Sequence, residues 1–299
     1  MLAPIALFAY SRPQHLRRTV EKLRADPLAA ASDLHVFCDA AGRPEHAKAV
    51  AEVRQYVRTI DGFRSVSVIE RERNLGLARS ITEGVTRLCA AHGRAIVVED
   101  DLLVAPSFLG FLNRGLECYA DEPRVYQISG YMYPGEYGGS SDALFLPMIS
   151  CWGWATWKRA WDNYDPTLAG FERLQSDAEL RRRLNLNGAY DYFGMAMQQR
   201  RRMIDSWGIC WHVSVFMRGG LVLYPRRSLV QNLGVDASGT HGAGHSALQP
   251  PLGDVGIEPN TLRLPAAVEV DEAALGKVER LLRSMRPGLI GRTLNWLRA

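Results

Sequence analysis

Glu99, Asp100 and Asp101 stand side by side directly after an apolar, β-branched run, Ala95–Val98. Like charges about 4 Å apart repel by roughly 1–4 kcal/mol between bulk water and a protein surface, so such a triplet needs a counter-charge. A divalent cation is one candidate. Oxygen-only ligation suits Mg2+ or Mn2+, which keep part of their water and hold phosphates. The other reading is a solvated loop whose acids cap the helix that begins near Pro106. If strand alternation ran on through the triplet, Glu99 and Asp101 would point one way and Asp100 the other.

The elements that must position these acids alternate through the first 130 or so residues. Ile5–Ala9 is a short apolar strand, followed by Ser11 as the expected N-cap and Pro13 in the first turn of a helix. That helix carries Leu16, Val20 and Leu23 on one stripe. Leu34–Cys38, Ser65–Ile69 and Ala95–Val98 are the next strands. The stretch "EHAKAVAEVRQYVRTI" and Ser80–Ala91 are the helices between them. Repeated β-α units predict a mostly parallel, twisted α/β sheet with helices on both faces, and ligands bind such sheets beyond the carboxyl ends of the strands. Tyr10, Ser11, Arg12, Asp39, Asn74 and the acidic triplet all lie at or just after such ends. Arg12 at a helix start opposes the helix dipole, a misplacement that favours a ligand role over a surface one.

Beyond about residue 125 the pattern loosens into a Gly- and Tyr-rich stretch with one short strand. Four tryptophans then fall within ten residues, and Trp154, Trp157 and Trp161 have the i, i+3, i+7 spacing of one helix face. Ser176–Glu179 reads as a capping box. The stretch "GLVLYPRRSLVQNLG" reads as a strand and an ordered loop, and "GTHGAGHS" as a flexible segment. From Val270 a basic amphipathic tail sets Leu275, Val278, Leu282 and Met285 on one face, is broken at Pro287, and continues as "GLIGRTLNWLRA".

The pieces "FAYSRPQHLRRTVEKL", "NLGLARSITEG", "VVEDDLLVAPSFLGFL", "WGWATW" and "IDSWG…YPRRSLVQNLG…GTH", in this order across roughly residues 4–245, resemble GT-A fold glycosyltransferases. The resemblance is to the broad family 2 group and, in the acidic motif, to the N-acetylglucosaminyltransferase I family. It implies that Asp101 coordinates a metal bridging the donor diphosphate, that Glu99 and Asp100 face the donor sugar and ribose, and that Arg12 contacts the diphosphate through its fork of donors. It implies a uracil or ribose contact for Asp39, which on its own reads equally well as a turn-forming residue. Tyr10 and Asn74 join the donor-binding set. Asn74 stands where the N-acetylglucosaminyltransferase I group tends to have a histidine, so the base contact is not carried over.

Asp205-Ser206-Trp207 matches the family's Asp-Asp-Trp, which makes Asp205 the general base that takes the acceptor hydroxyl's proton. Asp191, in an aromatic setting, is its rival. His241 falls where such enzymes supply a second metal ligand from a closing C-terminal segment, with His245 a weaker candidate. Trp152 and Trp154, flanking Gly153, are placed to stack on a sugar ring, with Gly153 allowing close approach. Trp157 and Trp161 belong to the core. The Arg181–Arg183 and Arg200–Arg202 runs read as solvated helix faces, with an acceptor phosphate or anionic lipid as the sharper alternative.

Composition sets the outer bounds. The chain has 299 residues, 47% hydrophobic and 23% charged, with a net charge of +4. That is ordinary globular composition, mildly basic, and large enough for one α/β domain. Residues 1–268 are expected to form it, with a nucleotide-binding half (1–125) and an acceptor half (126–268), and 269–299 the helical tail. Five scattered cysteines with no C-x-x-C pair argue against a disulfide framework or structural zinc and for a reducing cytosol. The tail suggests a peripheral position on an inner membrane leaflet, or a helix docked back on the domain. No G-x-G-x-x-G follows a strand, which excludes a dinucleotide dehydrogenase, and the first turn lacks the glycine-rich phosphate loop of a sugar-1-phosphate nucleotidyltransferase. The expectation is a metal-dependent inverting glycosyltransferase, using Mn2+ or Mg2+ and a UDP-sugar. Its acceptor would be a glycan or lipid-linked saccharide in cell-surface polysaccharide or lipopolysaccharide assembly, and nucleic acid is not an expected partner. The alternative is an inactive module of the same fold that binds a glycan or a protein.

Overall fold

The computed structural model describes residues 1–235, 246–253 and 261–285. In chain order its elements are β1 (Ile5–Ala9), α1 (Pro13–Arg24), β2 (Asp33–Cys38), α2 (Ala47–Val57), β3 (Ser65–Glu70), α3 (Leu77–His92) and β4 (Arg94–Glu99). Then come β5 (Leu102–Val104), α4 (Phe108–Cys118), β6 (Val125–Ser129), β7 (Ala143–Leu146), β8 (Trp154–Trp157) and α5 (Lys158–Trp161). The remainder is α6 (Phe171–Ser176), α7 (Ala178–Leu184), α8 (Tyr192–Arg200), α9 (Trp207–Phe216), β9 (Leu221–Pro225), β10 (Val230–Asn232) and α10 (Glu272–Ser284).

Eight strands form one sheet in the order β3-β2-β1-β4-β8-β6-β9-β7. The first four are parallel, with Ile5 between Leu34 and Ile96. β8 inserts antiparallel between β4 and β6, and β7 closes the far edge antiparallel to β9. β1 is buried along its whole length, as a strand covered on both faces must be. β10 and β5 pair separately, Asn232 opposite Leu102, which lays the chain after β9 directly against the turn that follows β4. α9 is apolar all round and buried from Trp207 to Val215. Such a helix needs cover on every side: it lies against α3 and α8, with Trp207 and Trp211 in the main core and Ile209, Cys210 and Val213 in a second cluster with Phe171, Leu174, Leu184 and Ala196.

Several local expectations need correction. The tryptophan run is not one helix. Trp154–Trp157 is β8 and Lys158–Trp161 a single helical turn, because a chain that changes from strand to helix at Trp157 still yields the spacing 154, 157, 161. Trp157 and Trp161 are core residues. The N-cap of α7 is Asp177, whose carboxylate accepts from the Leu180 amide, so the Ser176 box is displaced by one residue. α1 begins after Arg12 rather than Ser11, with no side-chain cap.

The tail helix α10 is capped by Asp271, which also pairs with Arg226 at 3.3 Å, and Ala274, Leu275, Val278 and Leu282 are buried in the main core. Its apolar stripe is therefore occupied by the protein and not offered to a membrane. Residues 286–299 lie outside the described residues. All five cysteines are free, and no helix among the described residues is long and apolar enough to cross a membrane.

Candidate active site

Because β4 lies beside β1, with Phe8 opposite Glu99, the acidic triplet meets the turn after β1. β4 ends at Glu99, so Asp100 and Asp101 sit in a turn and strand alternation does not govern them. Both carboxylates reach the same cation. Arg12 donates from Nη2 to Asp100 Oδ1 and from Nη1 to Asp101 Oδ2, each at 2.8 Å, with side chains only 3% and 9% exposed on the acid side. The Tyr10 amide donates to Asp100 Oδ2 at 3.0 Å, and Thr19 Oγ1 donates to the Asp100 carbonyl at 2.9 Å. A counter-charge for the triplet is thus built into the chain as the Arg12 guanidinium.

That pairing does not exhaust the site. Burial and the neighbouring Asp101 and Asp100 push Glu99 well above the usual carboxylate range. Burial also raises Asp100, to about 6, against the opposing pull of Arg12. Two carboxylates then share one guanidinium, and Asp101 Oδ1 is buried without a hydrogen-bond partner. An orphaned anionic oxygen beside a charge deficit is a fit for a divalent cation that takes one or two protein oxygens and completes its shell with water and phosphate. Among the described residues no group of three or more His, Cys, Asp or Glu side chains is placed to hold a metal ion.

The chain after β9 covers the acids. The Leu233 amide donates to the Asp101 carbonyl at 2.7 Å. Gly234 lies so close that a Cβ there would come within 2.4 Å of Asp101 Oδ2 and 3.0 Å of Arg12 Nη1. His241 and His245 lie outside the described residues.

A second cluster adjoins the first. Asp39 is 6% exposed, and its carboxylate accepts from the amides of Ala40, Leu75 and Gly76 and from Asn74 Nδ2 at 2.9–3.1 Å. Asn74 also donates to the Ala40 carbonyl at 2.7 Å. These bonds make Asp39 the clamp of the turn that opens α3, in place of an acceptor free for a nucleotide. Tyr10 links the clusters, its hydroxyl bonded to His46 Nδ1 and to the Gly42 amide. Beside this turn an open cleft of about 380 Å³ is walled by Arg71, Arg73 and Arg79 and by Glu70, Glu72 and Glu83.

The loop before β8 does not present Trp154 or Gly153 to a ligand. Trp154 is fully buried and stacked on Trp207, centroids 5.2 Å apart. Gly153 has φ +61°, and the space a Cβ would fill is taken by Val230 and Phe108. Only half-buried Trp152, edge-on to Tyr131, keeps an accessible ring there. The Trp154–Trp207 stack has another consequence, since Trp154 pairs with Val97, two residues before Glu99, and so anchors the start of α9 beside the acids.

Asp205 lies just before α9, whose N-cap is Ser206. It is exposed and has no hydrogen bond or ion pair among the described residues. Asp191 is committed elsewhere: it caps α8, accepting from the Gly194 amide at 2.9 Å. Of the two candidate bases, one carboxylate is uncommitted and the other serves its helix.

Two neighbours carried no usable sequence signal: Cys151, whose thiol is pushed up by burial with a contribution from Glu99, and Gly234. The tyrosines packed nearby, Tyr133, Tyr190, Tyr192 and Tyr224, all with phenols raised by burial, were signalled only as Tyr-rich loops.

No protein-family profile matches the sequence, and no curated protein matches it. Among solved structures the chain is similar to GalNAc-T7, crystallised with UDP, GalNAc and Mn2+, at TM-score 0.50 and 12% identity over 78% of this chain and 44% of that one. The chain therefore matches less than half the length of GalNAc-T7. Weaker likenesses are to S. aureus TarS 1–349 (TM-score 0.42, 10% identity, 75% of this chain and 58% of that) and to the galactosyltransferase LgtC with donor and acceptor sugar analogues (TM-score 0.37, 13% identity, 74% and 72%). At such identities the likeness is one of fold, and the fold is the mixed α/β GT-A arrangement, with the acids at the end of its fourth strand.

Proposed function

We propose that the protein is a metal-dependent inverting glycosyltransferase that moves a sugar from a nucleotide-diphosphate donor, a UDP-sugar, to a hydroxyl of a glycan or lipid-linked saccharide. The observation that carries this reading is the set formed by Arg12, Asp100 and Asp101, with Asp101 Oδ1 left without a partner, at the carboxyl end of β4 in a GT-A sheet. GalNAc-T7, of the same fold, holds UDP and Mn2+ in its crystal structure.

In this reading Asp101 holds Mn2+ or Mg2+, with His241 as a further ligand. The bound ion would supply charge neutralisation for the departing diphosphate. Arg12, already poised beside the acids, turns its fork of donors toward the same phosphates and stabilises the charge that develops there. Glu99 faces the donor sugar, and Asp100 fixes the Tyr10 turn. Asp205 takes the proton of the attacking hydroxyl, a task open to it because its carboxylate has no other partner. Trp152 and the nearby tyrosines would line the sugar, and residues 126–268 would form the acceptor half.

Calorimetric titration of UDP, and of UDP-, GDP- and dTDP-sugars, with and without Mn2+, on wild type and Asp101→Ala tests the proposal. Metal-dependent binding that is lost in Asp101→Ala supports it and names the nucleotide. A folded wild type that binds no nucleotide in the presence of metal refutes it and favours an inactive binding module of the same fold.

A further inference from the structure

A second cavity of about 400 Å³, between α6, α7 and the end of α8, is lined by Phe171, Gln175, Arg181, Phe193, Met197, Arg200 and Arg201. Its volume lies in the range of small-molecule sites. Its floor is an aromatic stack. Phe171 of α6 and Phe193 of α8 lie face to face, centroids 5.2 Å apart and planes within 10°. Arg200 covers the outer face of this pair at Phe171 (4.9 Å to the centroid) and Arg181 lies over Phe193 (5.3 Å).

The three arginines are not equivalent. Arg181 is held by the Leu174 and Gln175 carbonyls that end α6. Arg200 pairs with Glu172 at 2.5 Å. Arg201 has no ion pair or hydrogen bond from its side chain among the described residues and is exposed at the rim. One of three guanidiniums is thus neutralised by an acid, which leaves a cavity of net positive charge over an apolar, aromatic floor. A compact anion carried on a sugar meets this lining: guanidinium forks match phosphate oxygens, and Gln175 and Met197 beside the ring edges would border the sugar.

A short stretch of chain joins the cavity to the proposed base. α8 ends at Arg200, the Met203 amide turns back to the Gln198 carbonyl, and Ser206 is tied to Gln199. Asp205 is four residues from Arg201, so their Cα atoms are within about 15 Å of each other along the chain.

We propose that this cavity is the acceptor's phosphate subsite, which makes the acceptor a phosphate-bearing saccharide anchored by Arg201 with its hydroxyl extended toward Asp205. The proposal rests on the transferase reading for its orientation, but its test uses neither nucleotide nor metal, so the two can fail separately. Full-length protein is titrated calorimetrically with a hexose 1-phosphate, the neutral hexose and inorganic phosphate. The same ligands are titrated into Arg201→Gln, and into Arg183→Gln, which removes an equal charge from a residue outside the cavity.

The expected result is binding of the hexose 1-phosphate, weaker binding of phosphate and none of the neutral sugar, with affinity at least about tenfold lower in Arg201→Gln and unchanged in Arg183→Gln. Equal losses in both variants, or no loss in either, would overturn the assignment, as would a wild type that does not bind the hexose 1-phosphate. A sedimentation arm with phosphatidylglycerol and phosphatidylcholine vesicles separates the sources of phosphate. Arg201-dependent capture by the anionic vesicles without hexose 1-phosphate binding would overturn the saccharide proposal in favour of a lipid surface.

Discussion

Arg12→Met is the substitution that tests the site most directly, because it removes the guanidinium while keeping an apolar stem of similar reach. Arg12 makes two charged bonds of 2.8 Å to carboxylates that are 3% and 9% exposed, while its own side chain is 26% exposed. Removing one partner of a buried pair costs about 3–5 kcal/mol. Water reaches the open side of Arg12 and reduces that to about 2–3 kcal/mol. Urea unfolding followed by tryptophan fluorescence, in EDTA at pH 7.5, should show this loss. Asp100→Asn in the Arg12→Met background should recover part of it, giving a coupling of at least about 1.5 kcal/mol in the double-mutant cycle. Saturating Mn2+ should then stabilise Arg12→Met more than wild type, because the same carboxylates lack their counter-charge and binding to the native state adds stability by mass action. A variant within 0.5 kcal/mol of wild type in EDTA, or a cycle with no coupling, would refute the claim that Arg12 is the internal cation of the acidic triplet.

Three other outcomes follow from particular contacts. Asp205→Asn should lower the rate of sugar transfer by about 10²–10⁴-fold with UDP affinity unchanged, whereas Asp191→Ala should cost about 1 kcal/mol of stability as a lost helix cap and leave the turnover number alone; a steady-state assay beside urea melts separates them. His212, buried in α9 against Tyr192 and Phe216, is pushed down by burial to about 4 from its usual 6.5. The unfolded chain then binds the extra proton at this site between pH 4 and 6.5, so the stability of wild type relative to His212→Phe should rise with pH across that window, by about 3 kcal/mol, and be flat above it; paired urea melts across and above the window check this, and a difference that does not change with pH would refute it. Leu282→Ala in α10, at a site 5% exposed in the main core, should cost about 2–4 kcal/mol, a loss that a helix held only by solvent contacts would not show in urea melts.

The sheet was legible because its signal is local. Ile5–Ala9, Leu34–Cys38 and Ala95–Val98 are short apolar runs at the spacing of β-α units, and each is a strand of the parallel half. The second half was less so. β8 runs antiparallel between two strands that are distant in sequence, and no pattern within Trp154–Trp157 states that. The tryptophan spacing misled because a strand-to-helix change at Trp157 produces the same intervals as a continuous helix. For the site, sequence brought Tyr10, Arg12 and the acids to the same strand ends, since chain topology alone does so. It could not say which atoms would be spent inside the protein. Asp39 is consumed by the Asn74-Leu75-Gly76 turn and Trp154 by Trp207, and those partners lie 35 or more residues away.

The internal salt bridge offsets the cost of assembling the acids. Three adjacent carboxylates at the end of a buried strand would by themselves favour local unfolding. Here the cost is met by two devices, the raised proton affinity of Glu99 and the guanidinium of Arg12. Neither device satisfies Asp101 Oδ1, and a side chain at residue 234 would crowd the other oxygen of the same carboxylate. A purely structural cluster would gain from closing that last valence with a nearby amide or hydroxyl, as Asp39 does with its own turn. The chain instead brings a glycine against Asp101 and leaves one lone pair unpartnered. That is the arrangement expected where the final partner arrives from solution.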